Sequence, residues 1–192
     1  MSKNALFLAS TLLLAACGGG GTLSLRLTDA PPDTENMESV FVTIGRVEAH
    51  VVDHDEKTHD DDAMDHAADG DKKWQTIALP EGAAERTFDL LALQNGVSAF
   101  LGEDGVDGKV TQIRLWIDEA GRNEVLMKDG ATCVMQVKDA DKPVKINHPF
   151  KAIAVDGDER EVTIDMDVKE SVTMEGTCAY TFKPVIKIKK VK

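Results

Sequence analysis

The chain has 192 residues, which suits one domain with a short extension. Its net charge of −12 argues against nucleic acid, whose phosphates it would repel, and against broad adsorption to anionic lipid headgroups. An apolar fraction of 42% excludes whole-chain disorder, and one Tyr with two Trp leaves room for only a small stacking platform for sugars or bases.

The first element reads as an address. Lys3 gives a positive start, and Ala5 to Ala16 is apolar apart from Ser10 and Thr11. A membrane-spanning helix needs about 20 apolar residues, so this run has the length of a signal-peptide core instead. It ends in Leu14-Ala15-Ala16-Cys17, which resembles the box cut by the bacterial lipoprotein signal peptidase. Residues 1–16 are therefore expected to be removed, and Cys17 to carry a diacylglycerol thioether, usually with an added N-acyl chain. More than one acyl chain makes such an anchor stable. The alternative is a plain secretory signal with an incidental Cys. Residues 17–21 form a glycine tether of about 10–12 Å, which holds the folded part, 22–192, near the bilayer surface. Gly18 stands where an Asp would favour inner-membrane retention in enteric-type bacteria, so the outer membrane is favoured over the inner.

Beyond the tether the pattern is β. Thr22 to Thr28 alternates, with Leu23, Leu25 and Leu27 on one face. Asp29-Ala30-Pro31-Pro32-Asp33 ends it. Ser39 to Val52 is a long second strand. Val40, Val42 and Ile44 share a face, but the apolar set then shifts to Val47, Ala49 and Val51, and a bulge at Gly45-Arg46 restores the facing. Further strands are expected at Lys73–Leu79, Arg86–Asp89, Lys109–Asp118, Glu124–Met127, Thr132–Lys138, Val144–Ile146, Glu161–Val168 and Thr177–Ile188. One short helix fits Leu90 to Gln94, capped by Asp89 and ended by Asn95-Gly96. Many short strands between Gly, Asp and Asn clusters mean a sandwich or barrel. In Lys109–Asp118, Trp116 faces away from the core, either as a partly exposed ligand platform or under a covering loop; cover is the commoner case. The lysines of Ile186 to Lys192 read as blunting a sheet edge.

With Cys17 lipidated, Cys133 and Cys178 remain. Each shares a face with apolar residues, Met135 and Val137 for one, Tyr180 and Phe182 for the other. Both are expected to point inward and, in an exported chain, to form a disulfide. The unusual segment is 53–71, DHDEKTHDDDAMDHAADGD, with His54, His59 and His66 among many Asp and His50 just before it. Imidazole with carboxylate suits divalent transition metals such as Zn²⁺, Ni²⁺ or Cu²⁺. The spacing matches no tight site: His54 and His59 are five apart, and Lys57 and Thr58 break a calcium-loop pattern. A solvated acidic loop is the commoner outcome, and no resident cofactor is required. Acidic stretches at Glu103-Asp104-Gly105 and Asp156-Gly157-Asp158-Glu159 read as plain turns before calcium sites. No nucleophile elbow, His-Glu-x-x-His or phosphate loop occurs, which lowers the odds of an enzyme.

Several phrases resemble a bacterial lipoprotein family known as domain of unknown function 4382. They are Leu27-Thr28-Asp29-Ala30-Pro31, Val42-Thr43-Ile44 with Val47, Asp89-Leu90-Leu91-Ala92-Leu93-Gln94-Asn95-Gly96, Thr111-Gln112-Ile113-Arg114-Leu115 and Lys183-Pro184-Val185-Ile186. They run in order across nearly the whole mature chain. The resemblance implies an exported, all-β sandwich of immunoglobulin-like or transthyretin-like type, and it carries no catalytic residues. The sequence thus leads to a lipid-tethered, non-enzymatic binding or structural module whose partner is an envelope protein or polymer, with divalent-metal capture by the His/Asp-rich loop as the alternative and an envelope enzyme as a distant third. Intact-mass analysis of the native product is expected to show an N-terminus starting at a fatty-acylated Cys17; a chain keeping residues 1–16 would refute it.

Overall fold

One strand longer than the rest sets the plan of the computed structural model, which describes residues 20–29, 36–52, 73–146, 151–155 and 157–192. The elements are β1 (Gly21–Thr28), β2 (Met37–Val52), β3 (Lys73–Thr76), β4 (Thr87–Asp89), a 3₁₀ turn (Leu90–Leu93), β5 (Ala99–Val106), β6 (Gly108–Ile117) and β7 (Glu124–Met127). They continue as β8 (Thr132–Val137), β9 (Val144–Lys145), β10 (Ile153–Val155), β11 (Glu159–Met166), α1 (Val168–Ser171), β12 (Val172–Gly176), β13 (Ala179–Phe182) and β14 (Ile186–Val191). Four strands form one sheet in the order β14-β11-β1-β5. The larger sheet follows β10-β6-β2-β7-β8-β13-β12, with β3 and β4 beside β2 and β9 beside β6. Both sheets are mixed, since β1 is parallel to β11 and β13 to β8. The result is an all-β sandwich, the fold class the sequence implies.

The 16 residues of β2 carry the larger sheet. Along one edge it pairs first with β7, from Met37 to Phe41, and then with β6, from Ile44 to Val52. Along the other it pairs with β4, from Phe41 to Thr43, and then with β3, from Glu48 to Val51. The register slips between Ile44 and Arg46, at the expected bulge. The extra residue keeps Val40, Val42 and Ile44 on the same side as Val47, Ala49 and Val51, all in the core. Leu23, Leu25 and Leu27 of β1 and Val162 and Ile164 of β11 join them in one buried cluster. Burying a side chain of this kind contributes about 1.5–3 kcal/mol. The segment after β3 also reaches the smaller sheet through main chain: the Glu103 amide donates to the Ala78 carbonyl at 3.1 Å. That approach needs a glycine beside it, because a Cβ on Gly102 would sit 2.5 Å from the same carbonyl oxygen.

Several expectations need correction. Thr177–Ile188 is two strands, β13 and β14, on different sheets, because Pro184 lies in the break between them and the chain crosses over. Glu103-Asp104-Gly105 is part of β5, not a turn. Strands β5, β10 and β12 and the helical turn α1 were not expected. The Leu90–Leu93 segment is helical but 3₁₀, with the Asp89 carboxylate accepting from the Leu91 amide as foreseen. Cys133 and Cys178 are at bonding distance and form a disulfide. Only Cys133 points inward; Cys178 lies in the turn before β13 and is exposed.

The C-terminal lysines lie on an edge strand, as the pattern suggests, and they also neutralise carboxylates on its neighbour. Asp165 of β11 is 2% exposed, with the Lys187 ammonium 3.1 Å from Oδ2 and the Lys189 ammonium 3.5 Å from Oδ1. The hydrogen bond and charge of Asp165 raise the Lys187 pKa above 10.5, aided by Asp167 and Glu170 and opposed by partial burial. A raised folded-state pKa means the stabilisation is complete below 10.5 and is lost as pH rises through the higher value. Glu161 is the opposite case: the hydrogen bond from Lys192 chiefly, with Arg26 and Lys190 adding charge, lowers it below 4.5. Its contribution is present above 4.5 and disappears on acidification through the lowered value. Lys187→Met is expected to cost about 1–2 kcal/mol in urea unfolding, less than for a fully buried pair because the ammonium is half exposed. Lys190→Met, on exposed surface, should stay within about 0.5 kcal/mol; equal costs would refute the special role of Lys187.

Candidate functional site

The outer face of the larger sheet collects both tryptophans of the chain. On β2 the bulge turns Arg46, Glu48 and His50 outward, and on β6 the alternation turns Arg114 and Trp116 outward. The register then sets Arg46 opposite Trp116 and Glu48 opposite Arg114, while β3 brings Trp74 opposite His50. The side chains interleave into a ladder. The Arg46 guanidinium lies 3.7 Å from the Trp116 ring centre, and that of Arg114 lies 3.6 Å from Trp74 and 5.1 Å from Trp116. The His50 ring follows, 5.0 Å from Trp74. Each cation–π contact is worth about 0.5–2 kcal/mol, more as water is excluded.

Glu48 holds the cations in place. Its Oε2 accepts from Arg114 Nε at 2.8 Å and lies 2.6 Å from Nη2, while Oε1 lies 3.5 Å from Arg46 Nε. It is 8% exposed, so these partners replace the water its carboxylate has lost. Trp116 is thus half-buried under arginine side chains and not under a loop. The same device recurs past the bulge, where the Arg122 guanidinium lies 3.5 Å from the ring centre of Phe41.

Beside the bulge the sheet opens. Residues 78–85 leave the edge of β2 between β3 and β4 and reach toward β5, leaving a shallow cleft of about 410 Å³. Gly45, Arg46, Thr76, Leu79, Glu81 and Arg86 line it. Arg86 Nε donates to the Gly82 carbonyl at 3.0 Å and Nη1 to that of Gly45 at 3.3 Å.

Of the metal-ligand candidates, His50 lies in the ladder, with Nδ1 sharing a 2.6 Å hydrogen bond with the Thr111 hydroxyl. His54, His59 and His66, with the whole of segment 53–71, lie outside the described residues, as does Cys17. Among the described residues no three His, Cys, Asp or Glu side chains converge as a metal set. No helix among them is long and apolar enough to cross a membrane. The ladder was missed because its signal is spread over three strands. Outward Arg and Trp were visible on β6, but only the cross-strand register shows that Arg46 and Trp74 meet them.

The geometry defines a β-sandwich whose polar-aromatic face is held by cation–π stacking. Residues 20–184 match the family described as Domain of unknown function (DUF4382), and the chain belongs to that family. No curated protein and no solved structure matches it. Two of the phrases that carry the likeness serve the fold by binding each other. The Thr28 hydroxyl is within hydrogen-bond reach of the Leu93 and Val97 carbonyls, at 2.8 and 2.7 Å, and the Asp29 amide donates to Leu93 at 3.0 Å. The buried Asp29 carboxylate accepts from the Val168 amide at the start of α1.

Arg114→Ala should destabilise the protein by about 2–3 kcal/mol, since it strips two cation–π contacts and leaves Glu48 buried without its main partner. Arg46→Ala, removing a half-exposed side chain, should cost about 1 kcal/mol or less. Urea unfolding measures both, and the reverse order would contradict this account of the ladder.

Proposed function

We propose that this protein is a lipid-anchored lipoprotein of the cell envelope, seated in the outer membrane in preference to the inner, and a non-enzymatic binding module. The outer face of β2, β6 and β3 meets its partner, an envelope protein or polymer. The observation that carries this reading is the stack Arg46–Trp116–Arg114–Trp74–His50, which gathers both tryptophans of the chain with two arginines on one side of a rigid sheet. Tryptophan and arginine are the residues most enriched where binding energy concentrates. Stacking also fixes their rotamers before a partner arrives, which lowers the entropy lost on binding. Elsewhere the chain is strongly acidic, so a partner drawn to this face is not drawn to the rest of the surface. The leader and Cys17 supply the anchor, and the short glycine tether keeps the module close to the bilayer.

The test is capture from envelope extract with the full-length chain in detergent. A component retained by the native chain should be lost with the double variant Arg46→Ala/Trp116→Ala. It should persist with Val134→Ser, which alters an exposed apolar side chain on β8. Capture indifferent to the ladder variant, or lost equally with both, would defeat the proposal.

A further inference from the structure

We infer that the cleft at the Gly45 bulge is a binding site for an oxyanion, the phosphate or carboxylate group of a small ligand, held between Arg46 and Arg86. Arg86 carries the argument. A guanidinium has five N–H donors, and two of these go to the Gly45 and Gly82 carbonyls, which fix its plane against the cleft. None of the ion pairs among the described residues includes it, although the chain carries 34 Asp and Glu against 22 Lys and Arg. A half-buried arginine pinned by backbone and left without an anion in so acidic a protein presents its remaining donors to whatever enters.

Arg46 supplies the second charge. Its own carboxylate partner is committed elsewhere, because Glu48 gives its closest contacts to Arg114 and reaches Arg46 Nε only at 3.5 Å. Arg46 also lines the cleft, and its stacking on Trp116 holds the guanidinium without neutralising it. Thr76 adds a hydroxyl to the lining, and Leu79 an apolar wall. Glu81 is the one carboxylate in the lining, and its charge opposes the anion. A guanidinium's paired N–H donors suit the planar carboxylate or the tetrahedral phosphate, and a second arginine in the lining adds charge. The site deepens the reading above, because Arg46 belongs to both the ladder and the cleft.

Trp116 reports on occupancy through Arg46. The experiment titrates inorganic phosphate into the full-length Trp74→Phe chain in detergent, with sodium chloride holding ionic strength constant, and follows Trp116 emission. A saturable change is expected. Arg86→Gln should weaken it about tenfold or more, as loss of a charged hydrogen-bond partner does. Glu81→Gln, which disturbs no hydrogen bond of the fold described above, should strengthen it, so the inference stays testable if the Arg86 variant folds poorly. Glucose 6-phosphate binding more tightly than inorganic phosphate, with glucose silent, assigns the anion to a saccharide; equal affinities assign it to the free ion. A response that never saturates overturns the site, as does one unchanged by both substitutions. If phosphate binds while envelope capture ignores the ladder variant, only the proposed function falls. If capture depends on the ladder and phosphate does not bind, only this inference falls.

Discussion

One extra residue in β2 governs the larger sheet. Side chains alternate along a strand, so a uniform run from Met37 to Val52 would bury one apolar half and expose the other. The slip between Ile44 and Arg46 lets both halves face the core, and its consequences spread sideways. Neither edge of β2 keeps a single partner past that point. One changes from β7 to β6 and the other from β4 to β3. The gaps are filled differently. On one edge the 118–123 turn folds over Thr43, whose amide donates to the Asn123 side chain at 3.2 Å and whose hydroxyl donates to the Arg122 carbonyl at 3.1 Å. On the other edge the chain swings toward β5, and the cleft remains.

The same slip sets the outer face. It turns Arg46, Glu48 and His50 outward, where β6 and β3 present Trp116, Arg114 and Trp74. A strand without the bulge would bring Gly45, Val47 and Ala49 there, with nothing for the indoles to stack on. Core packing and surface recognition therefore share one cause. Cations on this face and on β14 are held by different means. The lysines of β14 answer carboxylates of β11, buried Asp165 above all, and so complete the fold. The arginines of the ladder share one carboxylate and otherwise lean on aromatic rings, which hold a cation in place yet leave its charge available.

What the sequence made legible is what a single strand can state about itself. The Leu23, Leu25 and Leu27 alternation, the Gly45 slip and the Asp89 cap each rest on neighbours along the chain, and each appears in the structure. Strand β5 was hidden because Glu103-Asp104-Gly105 has turn composition; main-chain pairing with β1 overrides it. Counting back from Tyr180 and Phe182 along one strand face points Cys178 inward. The pairing begins only at Ala179, so the alternation does not extend to the cysteine. The ladder and cleft needed pairings between residues up to 70 positions apart, such as Arg46 with Trp116, and no local pattern encodes such a register.

The disulfide falls on the part of the larger sheet that this spine supports least. Beyond β7 the order runs β8-β13-β12, where β8 and β13 pair in parallel and β12 meets only β13 among the described strands. Parallel pairing is slightly weaker per residue, and a strand joined on one side frays more readily. Cys133 and Cys178 tie this flank together across a separation of 45 residues. In the chain-entropy account such a loop stabilises by about 4 kcal/mol at most. Strands β2, β6 and β3, which carry the ladder, lie on the other side of β7 and are held by burial and ion pairing. The covalent bond thus adds to the burial of Met135, Val137, Tyr180 and Phe182 on a flank paired in parallel, while the ladder face owes its rigidity to the bulge and to Glu48.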